Sequence, residues 1–374
     1  MNRATVGAAV LGLGLLGSAS AWPCGGGGVA SQAGVVTNSQ RVFISVRAAG
    51  TTDIVAQIAV PQTSADYGVL IPVPSEPTLD SSPVSSADMD SLDQSTRPSI
   101  NHYSTGSSDS GCGCLGAGAN DDDSSATGSG NGVVVSDPVE IGPVIAVSLT
   151  GDNADAVRGW LTDNGFALPD DDAATLGGYV GDGRYFIAIR RRDNAATGAP
   201  SSIGVHYTLV GDHRTLSLGF TRIGAAPKLA FTVFLAAPQT TGPSAPFSAL
   251  TLDELDSAPL RRGDYAGAVE AAVKAHDSKA FVLENATQFS RVVTFGSGLA
   301  RFADANVMLT RATTVVAREN LSDDVIFGTR VTRYVPSQRT ASMNAVRVRY
   351  ASMGSLGLLL LAGALRRVAK SKRG

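Results

Sequence analysis

The side chains best suited to covalent chemistry in this sequence are three cysteines, Cys24, Cys112 and Cys114. The spacing Cys112-Gly113-Cys114 differs from a CxxC redox motif, and zinc would need a fourth ligand, for which His102 is the only nearby histidine. A structural disulfide is therefore favoured over zinc, and it competes with use of Cys24 as a nucleophile. We predict that Cys24 pairs with Cys112 or Cys114, which would add about 4–5 kcal/mol in the loop-closure model. No metal and no cofactor is predicted.

The four histidines are scattered along the chain, and we predict no catalytic residue among them. His206 lies in a strand pattern, where a hydrogen-bonded sheet histidine is favoured over a general base. His213 lies in a turn, and His276 lies near the C-terminal end of a predicted helix, where an imidazolium suits the helix dipole. The sequence contains no GxSxG elbow, Walker loop, HExxH or GxGxxG after a strand.

Three runs of like charge are interpreted as solvated surface. The arginines at 190–192 could bind an anionic polymer, but a solvated strand edge is favoured. The aspartates at 121–123 and 170–172 lack the alternating oxygens and distal glutamate of a calcium loop, so both runs are predicted to be solvated acidic loops. A net charge of −3 excludes the basic surface that binds nucleic acid, so no nucleic-acid partner is predicted.

Residues 1–21 have the three parts of a secretory signal. Arg3 is the positive residue, an uncharged run of Val, Gly, Ala and Leu covers 6–16, and small residues at 19–21 form the cleavage pattern. The run is about half the ~20 residues that a membrane-spanning helix needs. We predict cleavage between Ala21 and Trp22. Lipidation at Cys24 is the alternative, although Trp22 and Pro23 replace the small residues expected before a lipidated cysteine.

The other end of the chain has the pattern of a membrane anchor. No charge occurs over residues 350–365, and the residues that define this predicted transmembrane helix are Tyr350, Leu356, Leu358, Leu359, Leu360, Leu361 and Leu365. The residues that set its topology, by the positive-inside rule, are Arg366, Arg367, Lys370, Lys372 and Arg373. Residues 366–374 are therefore predicted to be a basic cytoplasmic tail. A buried helix and a removable sorting tail are the alternatives.

The glycine run at 25–28, in the stretch WPCGGGG, could suggest a phosphate-binding loop or a flexible leader. A nucleotide loop needs a preceding strand, and everything before Trp22 is predicted to be removed. We therefore predict that the glycines give slack to the new N-terminus, so that Cys24 can reach a partner.

Between the two ends, residues 22–345 are predicted to form an exported ectodomain. Charged residues make up 17% of the chain, below the ~25% typical of soluble proteins, and strand patterns outnumber helix patterns. The predicted fold class is β-rich α+β, with antiparallel sheets and a few short helices beside the C-terminal transmembrane helix. A β-rich part covers about 29–237, with a flexible Gly/Ser/Asp loop at 104–132, and an α+β part covers about 247–335.

Several short motifs together resemble those of an exported bacterial family, domain-of-unknown-function family 2330. They are a signal followed by CGG, VLIPVP at 69–74, WL and NGF with LP over 160–169, KAFVLENA at 279–286, LTR at 309–311 and LSDDVIF at 321–327. The resemblance runs from about Cys24 to Phe327. It implies export, one mature unit and membrane tethering, and it implies no activity and no catalytic residues.

These observations predict an exported, membrane-tethered protein with a non-catalytic binding or envelope-structural ectodomain on the periplasmic or extracellular side. Its predicted partners are the membrane, through a single C-terminal anchor, and an unidentified envelope or extracellular ligand. An exported hydrolase or thiol enzyme with an unrecognised site is the alternative.

Overall fold

A computed structural model of the protein describes residues 25–31, 34–60, 67–81, 84–102, 132–166, 168–181, 183–192, 202–294 and 296–341. The strands in this part are β1 (Gly28–Ala30), β2 (Thr37–Val46), β3 (Thr51–Ala59), β4 (Gly68–Val73), β5 (Thr78–Leu79), β6 (Ser99–His102), β7 (Val133–Val135), β8 (Val139–Ile141), β9 (Val144–Gly151), β10 (Tyr185–Arg191), β11 (Ser202–Val210), β12 (Thr215–Leu216), β13 (Ala225–Ala237), β14 (Thr241–Pro243), β15 (Ser248–Thr251), β16 (Ala280–Gln288), β17 (Met308–Ala317), β18 (Val325–Arg330) and β19 (Gln338–Ala341). The α-helices are α1 (Ser86–Thr96), α2 (Ala154–Asp163), α3 (Asp170–Gly177), α4 (Ser257–Arg261) and α5 (Tyr265–Lys274).

The largest element is an eight-stranded sheet with the order β15-β16-β17-β13-β2-β3-β11-β5. Its pairs are antiparallel except for β13 with β2 and β15 with β16. Strands from both predicted parts of the ectodomain, 29–237 and 247–335, therefore hydrogen-bond within one sheet. The predicted outer limits of the ectodomain, 22 and 345, lie outside the described residues and stay predictions.

The second large sheet has six strands, in the order β1-β4-β10-β9-β7, with β8 also paired to β9. Two smaller sheets complete the described part: β12-β18-β14, and the parallel pair β19-β6. The prediction of a β-rich fold with antiparallel sheets and a few short helices is thus confirmed.

Three apolar clusters show how the layers pack. The largest joins one face of each large sheet, through residues such as Ile54 and Val233 on one side and Ile71 and Ile187 on the other. The outer face of the six-stranded sheet is covered by α2, where Trp160 packs near Phe166 with ring centroids 6.0 Å apart. The outer face of the eight-stranded sheet is covered by α1 and by the 3-10 helix Gly298–Phe302. The result is two stacked sheets between helical layers.

Most of the described helices begin at polar caps. Ser85 caps α1 and forms a reciprocal capping box with Asp88. Asn153 caps α2 through its side-chain oxygen. Asp264 caps α5, because its carboxylate accepts from the Gly267 amide at 2.8 Å.

The prediction for the glycine run is wrong. Gly25 to Gly28 are buried, and β1 pairs with β4 in the six-stranded sheet. A side chain at Gly27 would lie 2.7 Å from the Ile58 side chain and 2.9 Å from the Leu70 carbonyl. These glycines therefore let the backbone approach its neighbours closely, and they provide no slack.

Two charge runs also differ from the prediction. Residues 170–172 begin α3, where negative charge complements the N-terminal end of the helix dipole, and Asp172 is buried against the Arg318 guanidinium at 3.0 Å. Arg190 and Arg191 end β10, which lies between β4 and β9 and is not an edge strand, and Arg192 follows directly. Their side chains are half-buried.

No helix in the part of the chain that the structure describes is long and apolar enough to cross a membrane. The predicted anchor at 350–365 and its basic tail lie outside the described residues. The predicted loop at 104–132 lies outside them as well, apart from Gly132.

Candidate functional site

The cluster with the most chemical potential surrounds His206 on β11. Its ring Nε2 lies 3.2 Å from a carboxylate oxygen of Asp53 on the neighbouring β3, and its Nδ1 lies 2.8 Å from Asp80, just beyond the edge strand β5. Arg301, in the 3-10 helix Gly298–Phe302, brings a guanidinium nitrogen to 2.9 Å from Nδ1. With Arg47, which pairs with Asp53, these residues are called the His206 cluster below.

The register of the sheet places these groups on one face. Thr208 pairs with Asp53 across β11 and β3, and the Thr208 hydroxyl donates to Asp53 at 2.9 Å. Side chains two residues apart on a strand share a face, so His206 projects on the same side as Thr208. The helical layer covers this face, and Phe302 lies edge-on to the imidazole with the ring centroids 5.9 Å apart.

Electrostatics hold the deepest carboxylate ionised. Burial opposes ionisation of Asp53, but hydrogen bonds from His206, Arg47 and Thr208 outweigh it and lower the pKa of this carboxyl. The guanidinium groups of Arg47 and Arg301 lie 4.9 and 5.0 Å from the centre of the Phe302 ring. The cluster reaches solvent at Asp80 and at the two arginines, while His206 and Asp53 are buried.

The chemistry open to this cluster is limited by its own hydrogen bonds. Both ring nitrogens of His206 contact carboxylates, and no described serine or cysteine side chain is paired with the ring in the way that a nucleophile would be. Within the residues described, no three His, Cys, Asp or Glu side chains are arranged to hold a metal ion. The arrangement cross-links β11, β3, β5 and the 3-10 helix.

A second buried cluster centres on Arg311 of β17. Its guanidinium pairs with Glu284 on β16 and donates to the Asp93 carboxylate on α1 at 2.7 Å. The Tyr265 hydroxyl of α5 donates to the other oxygen of Glu284 at 2.5 Å. Burial opposes ionisation of Asp93, but the Arg311 charge and further hydrogen bonds lower the pKa of this carboxyl. This Arg311 cluster ties α1 and α5 to the sheet between them.

A third polar contact involves Asp324, in the segment before β18. One carboxylate oxygen accepts from the Tyr179 hydroxyl at 2.6 Å and from the Gly219 amide at 3.1 Å. Burial raises the pKa of Asp324 to about 6, although both hydrogen bonds act in the opposite direction. Burial and the neighbouring Asp324 raise the pKa of the Tyr179 phenol as well.

The later sequence motifs of the resemblance contact one another in these clusters. Lys279 of KAFVLENA pairs with Asp323 of LSDDVIF at 2.8 Å, and Glu284 of KAFVLENA pairs with Arg311 of LTR. These motifs therefore contribute residues to the cross-links of the fold.

The described part also has an open groove beside β7, at the edge of the six-stranded sheet. Its lining is largely backbone: Gly132, Val133, Val134, Thr150, Gly151, Asp152, Gly181 and Gly183. Asp152 is the one ionisable side chain among these lining residues, so no set of acid, base and nucleophile converges there.

The residues predicted from the sequence lie mostly elsewhere. Cys24, Cys112 and Cys114, the cleavage site, the anchor and the basic tail all fall outside the described residues. His206 is a hydrogen-bonded sheet histidine as predicted. Sequence reasoning missed Asp80 and Arg301, because they lie 126 and 95 residues from His206 along the chain. The available signal was a charged residue, Asp53, at the start of an apolar strand pattern.

Comparisons with known proteins give a family match and distant structural likenesses. A family model described as "Uncharacterized protein conserved in bacteria (DUF2330)" matches residues 18–275. No curated protein matches the chain. The fold is similar to the crystal structure of baculovirus P35 at a TM-score of 0.31 and 9% identity, over 79% of this chain and 97% of that chain. A likeness at this level carries no argument about fold or function.

Proposed function

We propose that this chain, which belongs to the DUF2330 family of uncharacterized proteins conserved in bacteria, is an exported, membrane-tethered protein with a non-catalytic binding or envelope-structural ectodomain. The secretory pattern at 1–21 and the uncharged run at 350–365 support export and tethering. The ectodomain lies on the periplasmic or extracellular side, and a single helix at 350–365 holds it in the cell membrane with the basic tail in the cytoplasm. A disulfide from Cys24 to Cys112 or Cys114 belongs to the same proposal, since export provides an oxidising compartment.

The observation that carries the non-catalytic assignment is the way the buried charges are used. Both nitrogens of His206 contact carboxylates, and Arg311 lies between Glu284 and Asp93. A general base needs a nitrogen or oxygen that can reach a substrate proton. The nitrogens and oxygens of these groups are instead hydrogen-bonded to neighbouring elements of the fold. The clusters therefore support a role in holding a rigid ectodomain.

Cleavage after Ala21 is compatible with the contacts of the glycine run that follows it. Gly25 follows the predicted cleavage site by only a few residues, yet its carbonyl already accepts from the Ser217 amide and hydroxyl, both at 2.6 Å. A chain that starts at Trp22 would thus enter the sheet almost at once. Mass spectrometry of the mature N-terminus tests this point. A chain that begins at Met1, or at a lipid-modified Cys24, would contradict cleavage after Ala21.

The membrane anchor is tested by deletion of residues 346–374. The truncated protein should move from the membrane fraction to the soluble exported fraction, because the uncharged run and its basic flank are removed together. A matched chain with Arg366, Arg367 and Lys370 replaced by alanine keeps the apolar run and should stay membrane-bound. Retention of the truncated chain in the membrane would contradict the anchor.

The alternative is an exported hydrolase or thiol enzyme, and one observation favours it: the His206 cluster reaches solvent at Asp80 and Arg301. Activity-based probes for serine and thiol nucleophiles distinguish the two functions on the purified full-length protein. We expect no stoichiometric labelling that depends on the fold. Labelling that is lost on denaturation and on His206→Gln substitution would establish the enzyme instead.

A further inference from the structure

The end of the described chain marks where the ectodomain meets its proposed anchor. β19 is the last strand of the described residues, and it pairs in parallel with β6 so that Ala341 is opposite His102. Nine residues later the uncharged run begins at Tyr350. At a maximum of ~3.5 Å per residue, that interval spans no more than about 30 Å. If residues 350–365 enter the bilayer, the part of the protein around β19 lies close to its surface.

The segment 331–341 lies along one edge of the eight-stranded sheet. Arg333 donates to the Ala249 carbonyl of the edge strand β15. Arg339 donates to the Leu252 carbonyl just after β15 and to the Ser257 hydroxyl at 3.2 Å. Val335, between the two arginines, is buried. The last described residues therefore lie beside the β15 edge and not beside the β5 edge on the far side.

The same segment carries the most exposed large apolar side chain of the described residues. Tyr334 is 83% exposed, and it is flanked by Arg333 and followed by a buried valine. Arg330 is exposed four residues before Tyr334, and Arg261 and Arg262 are exposed at the C-terminal end of α4, a helix that packs against β19. We call Arg261, Arg262, Arg330, Arg333 and Tyr334 the Tyr334 surface.

The composition of this surface matches the interfacial region of a bilayer. Tyrosine is enriched where headgroups meet hydrocarbon, because its ring is apolar and its hydroxyl stays hydrated. Arginine side chains can extend their guanidinium groups to lipid phosphates while the aliphatic part stays on the protein. Acidic residues 253, 254 and 256 lie on the adjoining turn, and Glu254 pairs with Arg333 at 3.3 Å. This balance of positive and negative charge favours insertion of the Tyr334 ring over electrostatic attraction of the surface to anionic lipid.

We propose that the Tyr334 surface rests on the outer face of the membrane that holds the chain, with the Tyr334 ring in the headgroup region. The inference rests on the proposed function, since it needs the anchor at 350–365. It adds an orientation: the β15 edge faces the bilayer, and the β5 edge points away. The two edges differ in distance from the membrane by much of the width of the sheet.

Val210 supplies a matched control on the far side of the molecule. It ends β11, six strand positions away from β15, and it is 79% exposed. Strands lie about 4.8 Å apart, so the two positions are separated by roughly 29 Å across the sheet. Both side chains are large, apolar and exposed, so a tryptophan at either position meets no packed neighbour.

The experiment compares Tyr334→Trp and Val210→Trp in the full-length chain, in vesicles of phosphatidylcholine with and without bromine on the acyl chains near the headgroup. The signal of the two native tryptophans is subtracted with the unsubstituted protein. The fluorescence added at position 334 should fall by about half in brominated lipid, while that added at 210 stays unchanged. Unchanged thermal midpoints check that both variants keep the fold.

The outcomes separate the two proposals. Resistance of the chain to alkaline carbonate extraction reports the anchor alone. If the chain resists extraction and position 334 is quenched no more than position 210, the orientation is wrong and the anchor stands. If carbonate releases the chain from the vesicles, the anchor fails and the orientation fails with it.

Discussion

At the scale of single residues, the buried charges of this protein serve as cross-links between distant parts of the chain. His206 lies between Asp53 and Asp80, and each of its ring nitrogens is within 3.2 Å of a carboxylate oxygen. Arg311 joins Glu284, which is fully buried, to Asp93 on α1. Such clusters fix one arrangement of their elements, because removal of one member leaves a buried partner uncompensated.

The first prediction concerns the deepest carboxylate of the His206 cluster. Asp53→Asn should lower the free energy of unfolding by about 1–3 kcal/mol at neutral pH, because Arg47 and His206 lose an ionised acceptor in a buried site. Urea denaturation measures the change. The control is Asp212→Asn, which removes a partly exposed pair with Arg214 and should cost less than about 1 kcal/mol. Equal effects of the two substitutions would contradict the cross-linking role.

The second prediction is a pH dependence at Asp324. Its pKa is about 6 in the folded protein against 3.8 for the ordinary carboxyl, so the folded state binds more protons between these values. The contribution of Asp324 to stability is therefore greatest below pH 4 and is lost as the pH rises through 6. Relative to Asp324→Asn, the unsubstituted protein should become more stable as the pH falls from 7 to 4, as measured by thermal unfolding.

Asp323 gives the control of opposite sign for that experiment. Hydrogen bonds from Lys279 and Ser322 lower the pKa of Asp323, so its contribution is present above pH 4 and is lost as the pH falls through the lowered value. Asp323→Asn should therefore cost stability at neutral pH and less in acid. The same pH trend in both variants would show that the titration of Asp324 is not the cause.

At the scale of elements, the glycine strand shows how close approach replaces side-chain packing. Gly27 donates its amide to the Gln40 side chain at 3.0 Å, and the Gln40 amide returns a hydrogen bond to the Gly27 carbonyl at 2.7 Å. Gly28 packs so closely against Ile223 that a Cβ atom at position 28 would overlap the Ile223 side chain. The backbone from Gly25 to Gly28 therefore contacts both large sheets, although these residues have no side chains.

The third prediction tests this packing. Gly27→Ala should destabilise the protein by about 1–3 kcal/mol, because the new methyl group would lie 2.9 Å from the Leu70 carbonyl, a backbone atom that cannot rotate away. Gly159→Ala is the matched control: Gly159 lies within α2, and no atom would contact its new methyl group. That substitution should stabilise the helix by about 0.5–1 kcal/mol. Chemical denaturation of both variants tests the prediction. A Gly27→Ala substitution that leaves the free energy of unfolding unchanged would contradict close packing of the backbone at Gly27.

At the scale of the whole molecule, one sheet unites the early and late parts of the chain. β17 lies between β16 and β13, and β13 pairs with β2 near the N-terminal end of the fold. The family match ends at residue 275, before β16 begins, so the matched segment leaves out strands that complete its own sheet. Arg311 and Asp324 also form cross-links between the early and the late part of the chain.

The fourth prediction follows from that shared sheet. Thermal unfolding of the protein should show a single cooperative transition for its two sheets, because neither 29–237 nor 247–335 can unfold without breaking strand pairs of the other. Scanning calorimetry should give equal calorimetric and van't Hoff enthalpies. Two resolved transitions, or a protease fragment ending near residue 240 that stays folded, would contradict the prediction.

The positions of many elements could be read from the sequence, since strand and helix patterns are local. The strand pattern that contains His206 is β11, and the predicted helix that ends near His276 is α5. The predicted export signal, anchor and tail are local in the same sense, because each prediction depends on the composition of one contiguous segment. Local pattern failed at the charge runs. Asp172 and the arginines at 190–192 have the composition of solvated surface, and only their neighbours in space make them buried or half-buried.

The sequence by itself determined the class of fold and the family, and it predicts a targeting segment at each end of the chain. Only the tertiary structure decided which charges meet. Strand register brings Asp53 to His206 across 153 residues of chain, and the packing of α1 on the sheet brings Asp93 to Arg311 across 218. Register depends on the alternation of side chains over whole strands and on the packing of two sheets, so no short motif encodes it. The glycine run illustrates the same limit: its composition permits slack or close packing, and the neighbouring Ile58, Leu70 and Ile223 select close packing.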